Sequence, residues 1–178
     1  MVVVDDTAGP AEPTATTAPT PGTPLPTTPV RPSADLPVLR AGSLAGVALG
    51  TPEADALPRL RAELGTETGT RGELCGATRF VHWADLDVDA VFTGGTLVGW
   101  MAGARTATPL RTGSGVAPGM TVADARAADP TYRPAGHPSL PDLIALGSGD
   151  QLINGSADGP ADTDRVTSLH AGYVCLAE

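Results

Sequence analysis

Three histidines and two cysteines are the side chains of this chain best suited to base, nucleophile or soft-metal chemistry. His82 stands beside Trp83 in Phe80-Val81-His82-Trp83, a segment that reads as a strand. A hydrolase built on it needs a nucleophile and an orienting carboxylate brought near by the fold. His137 lies between Gly136 and Pro138, and His170 precedes Ala171-Gly172, neither with a recognisable partner in sequence. Gly-x-Ser-x-Gly, Ser-x-x-Lys and His-Glu-x-x-His do not occur. Catalysis therefore rests on His82 alone, and the non-catalytic reading leads.

Cys75 and Cys175 stand 100 positions apart, with no second Cys or His at zinc-like spacing beside either. Neither has the adjacent cation that lowers a catalytic thiol's pKa. A single Cys75–Cys175 disulfide is the expectation, since closing so long a loop stabilises a fold by about 4 to 5 kcal/mol in the entropic account. Two buried free thiols are the alternative.

Carboxylates offer hard oxygen ligands in two places. Asp85, Asp87 and Asp89 alternate and on one strand would share a face, while Asp158, Asp162 and Asp164 crowd a turn. Neither set follows the twelve-residue calcium loop. Alternating Asp on an exposed edge strand discourages edge pairing, and Asp/Gly turns are common. Gly46, Gly50, Gly115 and Gly119 lack both the P-loop lysine and the dinucleotide spacing. No metal and no cofactor is expected.

The elements that must position these groups are announced by a repeat. Gly46-Val47-Ala48-Leu49-Gly50 through Ala54-Asp55-Ala56 returns as Gly115-Val116-Ala117-Pro118-Gly119 through Ala123-Asp124-Ala125, seven identities in eleven at an offset of 69. Leu36–Leu39 reads as a lead-in strand. Thr51 is placed as N-cap with Pro52 in the first helical position, and Leu57, Leu60 and Leu64 share one helix face before Gly65. Pro58 predicts a kink or a shifted start. Val88–Thr93, Gly94-Gly95 and Thr96–Met101 read as a hairpin. In the second unit Thr121 caps a helix over 122–128 that ends at Asp129-Pro130. Pro141–Leu146 is a helical turn or a strand, and 151–154, 165–169 and 173–176 are strands. The fold class is α+β: two tandem related units, about 35–105 and 106–178, with helices on one face of an antiparallel sheet.

Residues 7–34 hold eight Pro and eight Thr in 28 positions, so 1–34 reads as a disordered Pro/Thr-rich tether ahead of a folded domain over 35–178. Twenty acidic residues against eleven Arg and no Lys give a net charge of −9, which excludes the basic stripe that nucleic acid requires. Met1-Val2-Val3-Val4 meets Asp5-Asp6 too soon for a signal peptide or a membrane-inserting span. The tether and the cysteine usage point to an extracytoplasmic, envelope-tethered protein whose leader is absent from this chain. A cytosolic protein with a flexible arm is the alternative.

Gly-Val-x-x-Gly followed by a capped helix, then strands ending in Ala171-Gly172-Tyr173-Val174-Cys175, resembles exported and lipoprotein domains of high-GC Gram-positive bacteria. More distantly, the phrase from Gly115 to Asp124 is similar to the tandem helix-plus-sheet repeats of β-lactamase inhibitory proteins and outer-membrane assembly lipoproteins. The resemblance implies the fold and the exported setting.

The expected function is a monomeric, non-catalytic binding or interaction module for an unknown protein or envelope ligand. Its surface is expected on the open sheet face or the long loops. Trp83, Trp100, Tyr132 and His82 are the candidate contacts, because aromatic side chains dominate interface energetics; for the two Trp, core packing is the competing reading. A small exported hydrolase using His82 and an inhibitor of an exported enzyme are the alternatives.

Overall fold

The computed structural model describes residues 36–71, 78–135 and 142–174. The tether, His137 and both cysteines of the expected disulfide lie outside the described residues.

The chain is a mixed α+β fold with two helices and a large antiparallel sheet among the described residues. Short pairings come first: β1 (Val38–Leu39), then β2 (Ser43–Leu44) antiparallel to β3 (Val47–Ala48). Helix α1 (Glu53–Leu64) leads into β4 (Gly69–Arg71), β5 (Thr78–Trp83), β6 (Val88–Thr93) and β7 (Thr96–Gly103). β8 (Arg111–Thr112), parallel to β1, precedes α2 (Val122–Ala128), β9 (Arg133–Pro134), β10 (Leu143–Leu146), β11 (Ile153–Ala157) and β12 (Val166–Gly172). Eight strands form one sheet in the order β4-β5-β6-β7-β12-β11-β10-β9, so β7 and β12 pair at its centre.

Period-two alternation decides what each strand buries. Val81, Trp83, Ala90, Phe92, Trp100, Ala102, Leu169 and Ala171 point into one apolar cluster, which also takes Ala56 and Leu60 of α1 and Val122 and Ala125 of α2. Both helices thus bury their apolar sides with the same face of the sheet. Phe80, Val91 and Ala145 are buried as well but stand outside that cluster, because their strand positions send them to the second face.

Helix ends show which local signals prevailed. Thr121 caps α2, its hydroxyl oxygen accepting from the Asp124 amide at 3.1 Å, and the helix stops before Pro130. Thr51 does not cap α1. Its hydroxyl donates to the Ala48 carbonyl at 2.7 Å, and Pro52 is the cap position, so the helix begins one residue later than the sequence suggests. α1 runs through Pro58 as one element, burying Ala56 and Leu60 with Leu57 and Leu64 half-buried beside them.

Three strand expectations shift. Residues 141–146 resolve to strand β10 from Leu143, and 151–154 starts later, at Ile153. The last strand runs on to Gly172 rather than restarting at Tyr173, since Leu169 and Ala171 continue its buried alternation opposite β7. Asp85, Asp87 and Asp89 do not share a strand: 84–86 form a 3-10 turn, Asp87 sits in the left-handed region at φ 46°, and Asp89 is on β6, inside the sheet rather than at its edge.

Positions 69 apart make the same backbone contacts. The amides of Gly50 and Gly119 donate to Leu97 and Val166 carbonyls at 2.7 Å each. Leu97 and Val166 amides return the bond to Thr51 and Met120 at 2.9 Å, and Glu53 and Val122 amides reach Gly95 and Asp164 at 2.8 Å. Gly50 and Gly119 each turn at φ 90°, a conformation that glycine adopts freely.

Candidate functional site

Trp83 and Trp100 are 2% and 0% exposed, which places both indoles in the core cluster between the sheet and its covering layer. Each spends its N–H on an internal carbonyl. Trp83 donates to Gly65 at 2.8 Å, tying β5 to the end of α1, and Trp100 donates to Arg40 at 2.8 Å, tying β7 to the chain after β1. In this arrangement neither ring offers a face to a partner. Tyr132 is half-buried against the same cluster, its ring 5.3 Å from the Arg126 guanidinium carbon, and burial pushes its hydroxyl pKa up.

His82 belongs to the second face. Strand register lines up Gly69, His82, Asp89, Met101, His170, Asn154, Ala145 and Arg133 as one row across all eight strands. Directly opposed residues share a face and stand about 5 Å apart. Beside this row run Phe80, Val91, Gly99 and Gly172 on one side, and Gly103, Ser168, Ser156 and Leu143 on the other. The face is therefore small and polar at its centre, with a buried aliphatic and aromatic patch towards β5 and β6.

Two carboxylates on this face are paired. His82 Nδ1 lies 2.9 Å from Asp89 Oδ1, and both side chains are largely buried. Asp87, 4% exposed, accepts from the Arg105 amide at 2.8 Å and pairs with its guanidinium. The Asp87 carboxylate sits tight over Gly103, where a Cβ would meet it at 2.2 Å, so glycine is required there by close approach. At the centre of the row His170 is 6% exposed, and its Nδ1 has no hydrogen-bond partner. Burial holds its pKa below the ordinary histidine value.

The acidic turn has local duties. Asp164 accepts from the Ala161 amide at 2.8 Å, and Asp162 pairs with Arg126 of α2. Among the described residues no three His, Cys, Asp or Glu side chains are grouped to hold a metal ion. Nor is any helix there long and apolar enough to cross a membrane.

Two grooves flank the β1–β8 pair. One of about 400 Å³ is lined by Leu36, Val38, Thr108 and Arg111; its smaller neighbour reaches Asp129 and Gln151, and Thr112, Gly113 and Ser114 border both. Ser114 and the Thr131 hydroxyl and amide all donate to Asp129. Burial pushes that carboxyl pKa up, yet these donors outweigh it and hold it below the usual value. No histidine is among the described residues that line either groove.

The row was only half legible. Ser168-Leu169-His170-Ala171 alternates polar with apolar, a sufficient signal that Ser168 and His170 share a face. That Met101 and Asn154 stand beside His170 depends on pairings between distant segments, which no local pattern carries. Comparison of the chain with protein-family models, with curated proteins and with solved structures found no match.

Proposed function

We propose that the chain is a non-catalytic binding or interaction module of two tandem related halves, presenting the second face of the sheet to a protein or envelope ligand outside the cytoplasm. The observation that carries this reading is the division of the sheet. One face is filled by both helices and both indoles, while the other carries a row eight strands wide, with His82, Asp89, His170, Asn154 and Arg133 as its polar members, that helix packing does not use. A sheet face of this breadth gives one partner many shallow contacts rather than enclosing a small substrate.

The tandem reading is supported by the equal backbone bonds at Gly50 and Gly119, at Leu97 and Val166, and at Glu53 and Val122. The exported, tethered setting is supported by the Pro/Thr-rich residues 7–34 and by the two cysteines, and the kinship with exported lipoprotein domains and tandem inhibitor repeats belongs to the same proposal. Inhibition of an exported enzyme is one form such binding takes.

One specific observation favours a second reading. In the His82–Asp89 pair a carboxylate orients an imidazole, the arrangement a hydrolase built there would need.

Site-specific photo-crosslinking in cells separates these readings. Crosslinkers at Ser156 and Ser168 on the second face are expected to capture one discrete partner, while the same group at exposed Arg59 on α1 captures none. Equal capture from all three positions, or none from Ser156 and Ser168, overturns the assignment. Ester or peptide hydrolysis that disappears in His82→Ala, with folding intact, replaces it with the second reading.

A further inference from the structure

We propose that the larger groove beside the β1–β8 pair captures the C-terminal end of an extended peptide, with the free carboxylate on Arg111 and an aliphatic last side chain against Val38. The site is separate from the second face of the sheet. None of the residues lining the groove belongs to the row that runs from Gly69 to Arg133. Its walls come from the chain entering β1 and from the segment 107–115 around β8. A volume of about 400 Å³ is at the lower end for small-ligand sites, which suits a peptide end and not a folded partner.

The lining pairs one cation with aliphatic surface. Leu36, Val38 and Pro109 supply the apolar part. Val38 is 39% exposed, and with Tyr173 it is one of two large apolar residues left exposed among the described residues. Arg111 is the one charged group among the described residues of the lining. In a chain of net charge −9, Arg61, Arg79, Arg105 and Arg126 each hold a carboxylate. Arg111 does not: its Nη1 donates to the Gly115 carbonyl at 3.2 Å and lies 3.8 Å from Met120 Sδ. The complement of this lining is an anion joined to an aliphatic group, and a guanidinium fork matches a carboxylate best.

The hydroxyl wall distinguishes a peptide from a simple alkyl acid. Ser114 donates to Asp129 at 2.8 Å, and its single proton is thereby spent. Thr112 Oγ1 stands 2.9 Å from Ser114 Oγ, so the proton between them comes from Thr112. The Thr112 oxygen also accepts from the Val116 amide at 3.1 Å. Each hydroxyl oxygen is left with a lone pair and no proton, so this wall takes N–H donors. An alkyl acid brings no N–H. A peptide carries one within a residue of its terminal carboxylate, which puts the donor beside Thr112 and Ser114 when the carboxylate is on Arg111 of the same strand end.

The test titrates the full chain with acetyl-Ala-Ala-Val as the free acid, the same peptide with an amidated C-terminus, and hexanoate, following backbone amide NMR signals. The free acid is expected to give saturating shifts confined to 36–38 and 107–115. The amidated peptide and hexanoate are each expected to bind at least about tenfold more weakly, the loss typical of one charge-assisted or buried hydrogen bond. Arg111→Gln is expected to weaken the free acid to the level of the amidated peptide, and Val38→Ser to weaken both. Arg59→Gln, on the exposed side of α1, is expected to change nothing. Equal binding of acid and amide overturns the assignment of Arg111, and hexanoate binding as well as the free acid overturns the peptide. Shifts centred on the second face, or no shift at all, overturn the site. The comparison of the three probes on the native chain needs no variant, so it decides even where a variant fails to fold.

Discussion

Met101 and His170 face each other at the middle of the β7–β12 pair, and they stand 69 positions apart in the chain, the same offset that superposes the two glycine phrases. A register with this property maps onto itself when the halves are exchanged: the Gly99–Gly172 pair becomes Ser168–Gly103, and Met101–His170 returns to itself. The centre of the sheet thus behaves as a local two-fold axis, which supports the proposal of tandem related halves.

If the halves are equivalent, equivalent glycines should matter equally. Gly50→Ala and Gly119→Ala each force a side chain into φ 90°, with no clash at Gly50 and only ordinary contact with Ala104 at Gly119. Each is expected to cost about 1 to 2 kcal/mol of backbone strain. The double variant is expected to show their sum, because the sites share no partner. Urea midpoints measure this, and a clearly one-sided effect argues against equivalence.

The helix starts should respond differently. Thr121→Ala removes a hydroxyl that accepts from the Asp124 amide, and a loss of about 1 kcal/mol is expected. Thr51→Ala removes only a hydroxyl bond to Ala48, so a smaller loss is expected. Thermal unfolding of the two variants side by side checks the order.

Both indoles should report a dry core. Native fluorescence is expected to be blue-shifted and resistant to iodide, since neither ring is more than 2% exposed. Trp83→Phe and Trp100→Phe are each expected to cost about 1 to 3 kcal/mol through the carbonyl left unpaired, Gly65 in one case and Arg40 in the other. Strong quenching in the native protein would instead mark an indole as surface.

The cysteines lie outside the described residues, but the strands that lead to them share one end of the sheet. Thr78 of β5 pairs with Thr93, beside the Gly94-Gly95 turn that opens β7, and Gly172 of β12 pairs with Gly99 near the start of β7. Thiol titration of the denatured, unreduced chain is expected to find no free sulfhydryl, and peptide mapping a Cys75–Cys175 link. Two titratable thiols would leave the exported setting resting on composition alone.

Local chemistry determined a good deal of this protein. The glycine phrases, the Thr121 cap, the stop before Pro130, and the hairpin through Gly94-Gly95 are all short-range events, and each falls where its residues put it. The repeat was readable over 46–56 and 115–125 because both segments turn into a helix and bond back to a strand in the same way. It fades between them because α1 has 12 residues and α2 has seven, and the two-residue turn before β7 is matched by the longer stretch 158–165 before β12.

Tertiary structure decided the rest. Period-two alternation says that Trp83 and Val81 lie on the same side, opposite Phe80 and His82, wherever the strand stays regular, but it never says which side a helix will cover. Both residues entered the core because the register of β5 on β6 and the position of α1 left no other place for Trp83, while Phe80 was sent to the second face. The pairing of β7 with β12 is longer-range still. No residue near Met101 encodes a partner 69 positions away, since a strand edge presents the same row of amides and carbonyls to any complementary strand. The meeting of Met101 and His170 exists only once the two halves have folded against each other.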